Sequence, residues 1–168
     1  MGVRNFLVEG VSGTGKTSVC HELRRRGFHA VNGDTDLAYQ GDPVTGLPTG
    51  TVAHENHIWD LDRVRAIVGD RSEPVTFFCG GSRNHARFVD LLDGVLVLQV
   101  DRATLERRLD ERPADEFGAT PEQRALVLRV HETQEDVPDG VAVDATRPLE
   151  VVVSEIVRLA AIEVPRIQ

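Results

Sequence analysis

Residues 10–17 read Gly-Val-Ser-Gly-Thr-Gly-Lys-Thr, a full match to the pattern G-x-x-x-x-G-K-[ST]. The motif follows an apolar run and opens an amphipathic stretch, so the local order is strand, tight turn, helix. Glycines without a Cβ let successive backbone N–H groups converge on phosphate oxygens. The helix N-terminus adds unsatisfied donors and a positive partial charge. Lys16 then reaches the β- and γ-phosphates, and Thr17 offers its hydroxyl to Mg²⁺. The predicted nucleotide cradle is Gly10, Ser12, Gly13, Thr14, Gly15, Lys16, Thr17 and Ser18. Of the 19 basic residues, Lys16 is the only lysine. Arginine, a broader planar fork, stands everywhere that a compact point charge is not required.

A strand-turn-helix of this kind needs a sheet around it, and the rest of the chain supplies one. Five β-rich runs fall at residues 3–9, 28–32, 74–79, 94–100 and 141–144. Several are almost continuously apolar, as strands covered on both faces must be. Helical patterns lie between them at 17–26, 58–68, 83–92, 102–112, 121–135 and 149–162. Strand and helix alternation predicts an α/β fold, a three-layer α/β/α sandwich around a five-stranded parallel sheet. The length of 168 residues suits one domain spanning 1–168. Residues 40–56, rich in Gly, Pro and Thr, read as a long loop.

Composition removes several classes of function. The net charge of −8 and 5% aromatic content give neither a basic face nor stacking platforms for nucleic acid. No run of about 18 apolar residues predicts a membrane span, and the N-terminal segment lacks a signal-peptide core. Cys20 and Cys79, each in an apolar run, read as buried free thiols of a reducing compartment, so the cytoplasm is expected. His54 and His57 have i, i+3 spacing without an evident third ligand, and zinc is not expected. A guanine-reading N-K-x-D motif needs a lysine that the chain lacks. A motor ATPase would want an Asp-Glu strand end and a larger chain.

On these residues the chain resembles the P-loop small-molecule and nucleotide kinases, the group of shikimate kinase, gluconate kinase and the nucleoside monophosphate kinases. The resemblance is strongest in the P-loop and extends more weakly to later segments. Residues 31–36, Val-Asn-Gly-Asp-Thr-Asp, match a D-x-D pair. This implies that Asp34 is metal-associated, with Thr17, and that Asp36 orients or deprotonates the acceptor hydroxyl. Residues 77–84, Phe-Phe-Cys-Gly-Gly-Ser-Arg-Asn, resemble a substrate-approaching turn. Gly80, Gly81, Arg83 and Arg87 would then face the acceptor, joined by Arg63 from the helix after the long loop. Residues 105–115 resemble a short lid, about 107–120, from which Arg108 would bind nucleotide and Arg112 would neutralise developing charge. Whether Arg107, Arg108 and Arg112 close over phosphates stays open, because a solvated helix of Glu–Arg pairs reads equally well. The acceptor side would span about 37–70. Residues 143–148 are similar to segments that pack backbone on adenine.

The resemblance implies an ATP- and Mg²⁺-dependent phosphotransferase acting through Lys16, Asp34, Asp36 and Arg112. Its partner is a small-molecule acceptor bearing a hydroxyl or phosphate, and the chain is a monomer or homodimer. A nucleoside, a nucleotide, a sugar acid and an antibiotic-like metabolite all remain open as acceptors. The alternative is a nucleotide-binding protein or NTPase with a regulatory role.

Overall fold

The structure is a computed structural model that describes residues 3–161. Residue 162, where the last expected helix ends, and the outer residues of the expected 1–168 domain lie outside the described residues.

Five strands form one parallel sheet: β1 (Arg4–Gly10), β2 (His29–Asn32), β5 (Val75–Cys79), β6 (Gly94–Gln99) and β7 (Val141–Asp144), in the order β2-β5-β1-β6-β7. All four neighbouring pairs are parallel. Central β1 is flanked on both edges, which is why six of its seven residues are buried. Alternate side chains leave by opposite faces. Phe6, Val8, Phe77 and Cys79 join one core with Val19 and Leu23 of α1 (Lys16–Arg25) and Val153 and Ile156 of α6 (Leu149–Ala161). Leu105 of α4 (Arg102–Asp110) and Val127 of α5 (Pro121–Thr133) complete that core. Leu7, Val31 and Phe78 face the other way, onto Trp59, Phe88 and Val64 of α3 (Leu61–Gly69). The result is the expected α/β/α layering. Each fully buried Phe or Leu contributes about 1.5–3 kcal/mol of apolar burial.

Three local features differ from the sequence expectation. A single-turn helix, α2 (Gly33–Asp36), follows β2. The chain then makes an antiparallel ribbon of β3 (Ala38–Gln40) and β4 (His57–Trp59), with Ala38 opposite Trp59. The expected helix at 58–68 therefore begins only at Leu61, where the Asp60 side chain accepts from the N–H groups of Asp62 and Arg63. The expected helix at 83–92 is instead two 3₁₀ turns, His85–Arg87 and Val89–Leu91. Phe88 breaks it: with φ −135° it turns inward to stack on Trp59, ring centroids 5.2 Å apart and 9° from parallel.

Candidate active site

The turn from β1 into α1 keeps its shape because its glycines adopt backbone angles other residues resist. Gly13 and Gly15 have φ of 94° and 103°. Thr14 closes the loop on itself, its Oγ1 donating to the Val11 carbonyl at 2.8 Å. Lys16 begins α1 and folds back, its Nζ donating to the Gly10 carbonyl and lying 3.7 Å from Glu9 Oε1. Thr17 and Ser18 stand exposed on the first helical turn, where N–H groups have no helical partner.

Two arginines lock the loop from α4 and the turn after it. Arg108 donates to the carbonyls of Gly13, Thr14 and Ala145, at 3.3, 3.1 and 2.8 Å. Arg112 donates to Ser12 Oγ at 3.0 Å and to the Phe117 carbonyl. Arg107 points away, exposed on α4. The loop, both inward arginines, Ala145 and Arg147 enclose a cavity of about 700 Å³. The segment at 143–148 thus forms one of its walls.

A second cavity, of about 420 Å³, lies beside it. Its floor is Glu9, Lys16, Asp34, Gly81 and Arg83; its walls include Val52, His54, Phe117, Leu126, Val127 and Val130. Ser12, Lys16, Asp34 and Phe117 line both cavities. The two cavities meet at these four residues.

Asp34 is positioned from below. Trp59, fully buried, packs against Gly33 so closely that a Cβ there would fall 2.0 Å from the indole ring. Asn84 holds Trp59 in place, its Oδ1 accepting from the Trp59 N–H at 3.1 Å and its Nδ2 donating to the Trp59 carbonyl at 3.0 Å. His57 Nε2 lies 3.0 Å from Asp34 Oδ1. Burial raises the Asp34 carboxyl, but the His57 hydrogen bond and the charges of Lys16, His57 and Arg83 outweigh it and hold it below its ordinary value. Asp34 therefore stays ionised at the junction. Together with the Thr17 hydroxyl, this donor set fits a Mg²⁺ that is held mostly by phosphates and water. Among the described residues, no group of three or more His, Cys, Asp and Glu could hold a metal alone.

Glu9 is the most unusual group in the second cavity. It is 1% exposed, its Oε1 accepts from the Gly10 N–H at 2.9 Å, and its Oε2 has no partner among the described residues. Arg83 NH1 lies 2.8 Å from Asp136 Oδ2 and 2.9 Å from His54 Nε2. Arg83 Nε is buried without a partner among the described residues.

Three residues expected at the acceptor side are elsewhere. Asp36 faces away, its Oδ2 accepting from Arg24 NH2 at 3.3 Å and from the Asn32 N–H at 3.2 Å. Residues two apart on a helical turn do not share a face, so a D-x-D that folds as a turn separates its carboxylates. Arg63 is exposed on α3, and lines neither cavity. Arg87 reaches the long loop instead, donating to the Val44 carbonyl at 2.7 Å. Loss of the expected helix at 83–92 separates it from Arg83. Gly80 lies under Asp34, where its Cβ would come 3.2 Å from Asp34 Oδ1, while Gly81 borders the cavity itself.

A family model described as AAA domain matches residues 7–129, from β1 through most of α5. The chain belongs to the AAA domain family. No curated protein matches this AAA-domain chain. Among solved structures it is similar to an unliganded sugar kinase from Janibacter sp. HTCC2649, with 19% identity, TM-score 0.58, and coverage of 95% of this chain and 96% of that one. A gluconokinase from Sinorhizobium meliloti 1021 gives 22% identity, TM-score 0.56 and coverage of 94% and 93%. Shikimate kinase from Bacteroides thetaiotaomicron gives 13%, 0.57, and 95% and 99%. The fold of this AAA-domain chain is that of the P-loop small-molecule kinases.

Several residues of the site escaped the sequence reading. Glu9 had a signal: a carboxylate inside the central, doubly covered strand, immediately before the P-loop. Asn84 and His57 lie within segments already singled out, but their pairing with Trp59 and Asp34 needs the β3–β4 ribbon. Asp136 had no signal, since its partner His54 is 82 residues away.

Proposed function

We propose that the protein is an ATP-dependent phosphotransferase that moves the γ-phosphoryl group of Mg-ATP to a hydroxyl on a small molecule. The observation that carries this reading is the meeting of the two cavities at Lys16 and Asp34. One cavity has the donors and cations for a triphosphate; the other is walled for an acceptor, and they share the point of transfer.

In this reading the loop N–H groups and α1 N-terminus hold the β- and γ-phosphates. Lys16 leaves the Gly10 carbonyl to follow the transferring phosphoryl group, and Arg112 faces the charge that spreads onto its oxygens. Thr17, and through water Asp34, would hold a Mg²⁺, which would supply charge neutralisation at the phosphates. Phe117 and the apolar side chains of α5 keep bulk water from the acceptor.

The test is ADP release from Mg-ATP with and without an acceptor. Lys16→Ala is expected to abolish acceptor-dependent release, because no other lysine exists to replace it. Near-normal transfer in that variant overturns the reading. Release that ignores every acceptor points to a nucleotide-binding protein or simple NTPase.

A further inference from the structure

The cavity at the acceptor side is mostly apolar, yet two of the side chains lining it carry buried polar atoms with no partner among the described residues. Glu9 Oε2 is an acceptor and Arg83 Nε a donor. Their side chains converge over Gly81: a Cβ built there would lie 2.9 and 3.4 Å from the two Glu9 oxygens and 3.3 Å from Arg83 NH2. That small space is open only because residue 81 is glycine. A buried acceptor or donor without a partner is costly, so two of them on side chains that meet over Gly81 call for a ligand that supplies both functions.

We propose that Glu9 and Arg83 form the subsite for the acceptor's reacting hydroxyl, with Glu9 taking its proton, and that the acceptor is an uncharged alcohol rather than a phosphate or carboxylate. This rests on the phosphotransferase reading. A hydroxyl donates to Glu9 Oε2 while accepting from Arg83, which satisfies both atoms. The charge around the cavity argues against an anion. Arg83 is its one arginine, and Asp136 already neutralises it at 2.8 Å. Lys16 belongs to the ATP phosphates, while Glu9 and Asp34 remain as carboxylates facing the acceptor. The apolar wall of Val52, Phe117, Leu126 and Val127 suits a ring or hydrocarbon body.

The step balances without any further reagent. The acceptor oxygen forms a bond to the γ-phosphorus, and the bond from that phosphorus to the β–γ bridging oxygen breaks. Its electron pair leaves on ADP, and the hydroxyl proton passes to Glu9 and then to solvent. Burial raises the Glu9 carboxyl above its ordinary value, against Lys16, the Gly10 N–H, Arg83 and His85, which makes it a better proton acceptor.

The experiment presents the full chain and Mg-ATP with two panels: neutral nucleosides, sugars and polyols, and anionic nucleoside monophosphates, sugar phosphates and sugar acids. A neutral alcohol is expected to drive ADP release well above the rate with Mg-ATP alone, yielding a phosphomonoester. With that alcohol, Glu9→Gln is expected to lower kcat by about 10²–10⁴-fold, with KM for ATP little changed. Asp136→Asn, which unpairs Arg83, is expected to raise kcat/KM for anionic over neutral acceptors about tenfold. An anionic compound as preferred acceptor of the wild type, or kcat retained in a folded Glu9→Gln, overturns the inference and leaves the kinase reading standing. Release indifferent to both panels removes the kinase reading itself, and this inference with it.

Discussion

Burial holds the Glu9 carboxyl above its ordinary value of 4.5, and that shift has a consequence for stability. Between the unfolded and folded values the folded chain binds more protons than the unfolded one. Stability contributed by this group therefore falls as pH rises from about 4.5 through the folded value, and below that window the group contributes nothing. Lys16, the Gly10 N–H, Arg83 and His85 act the other way and partly offset the loss. Glu9→Gln is expected to unfold at a higher temperature than wild type at pH 7, with the gain fading at acid pH; thermal melts from pH 4 to 8 check this. The two carboxylates after β2 separate just as clearly. Asp34→Asn is expected to lower turnover about 10–100-fold, as for a group that orients a metal through water, and to raise the Mg²⁺ requirement. Asp36→Asn removes an exposed contact with Arg24 worth under about 1 kcal/mol, and turnover should hold. Magnesium titrations of both variants distinguish them, and equal losses would argue against the separation.

The elements around the site differ in how much of them a linear reading reaches. The P-loop, the five parallel strands and α1 follow from local patterns, because apolar runs, glycines and helix ends act within a few residues of themselves. Arg108 reaches the loop from α4 and Arg112 from just past the helix end at Asp110. The β3–β4 ribbon carries too little pattern to be seen: each strand has three residues, and their pairing depends on Trp59 finding Phe88 and Asn84. Arg63 sits exposed on α3, and the helix expected to set Arg87 beside Arg83 is two 3₁₀ turns, so neither residue lines the cavities. This small assembly is also where stability and function join. Trp59→Ala is expected to cost about 3–5 kcal/mol and lower Tm by roughly 6–20 °C. It also removes the surface under Gly33, so the folded fraction should show a raised Mg²⁺ requirement like that of Asp34→Asn. Full turnover in folded Trp59→Ala would mean that Asp34 keeps its place without the indole.

Across the whole molecule, net charge is −8 while the cavity at the P-loop is edged by Lys16, Arg108, Arg112 and Arg147. Cations are concentrated where the sheet order brings the ends of β1, β6 and β7 together, and the acidic excess lies elsewhere. Composition showed the imbalance but could not show its location, which depends on the β2-β5-β1-β6-β7 crossover. The shared wall of Ser12, Lys16, Asp34 and Phe117 also bears on kinetics. On the proposed function, donor and acceptor would occupy different cavities that touch, so the phosphoryl group would never need to be parked on a side chain between two half-reactions. Initial-rate plots at several fixed concentrations of the second substrate should accordingly give intersecting lines, the sign of a ternary complex; parallel lines would require a covalent carrier. A nonreactive ATP analogue should leave the acceptor site able to fill, because occupying one chamber builds the far wall of the other.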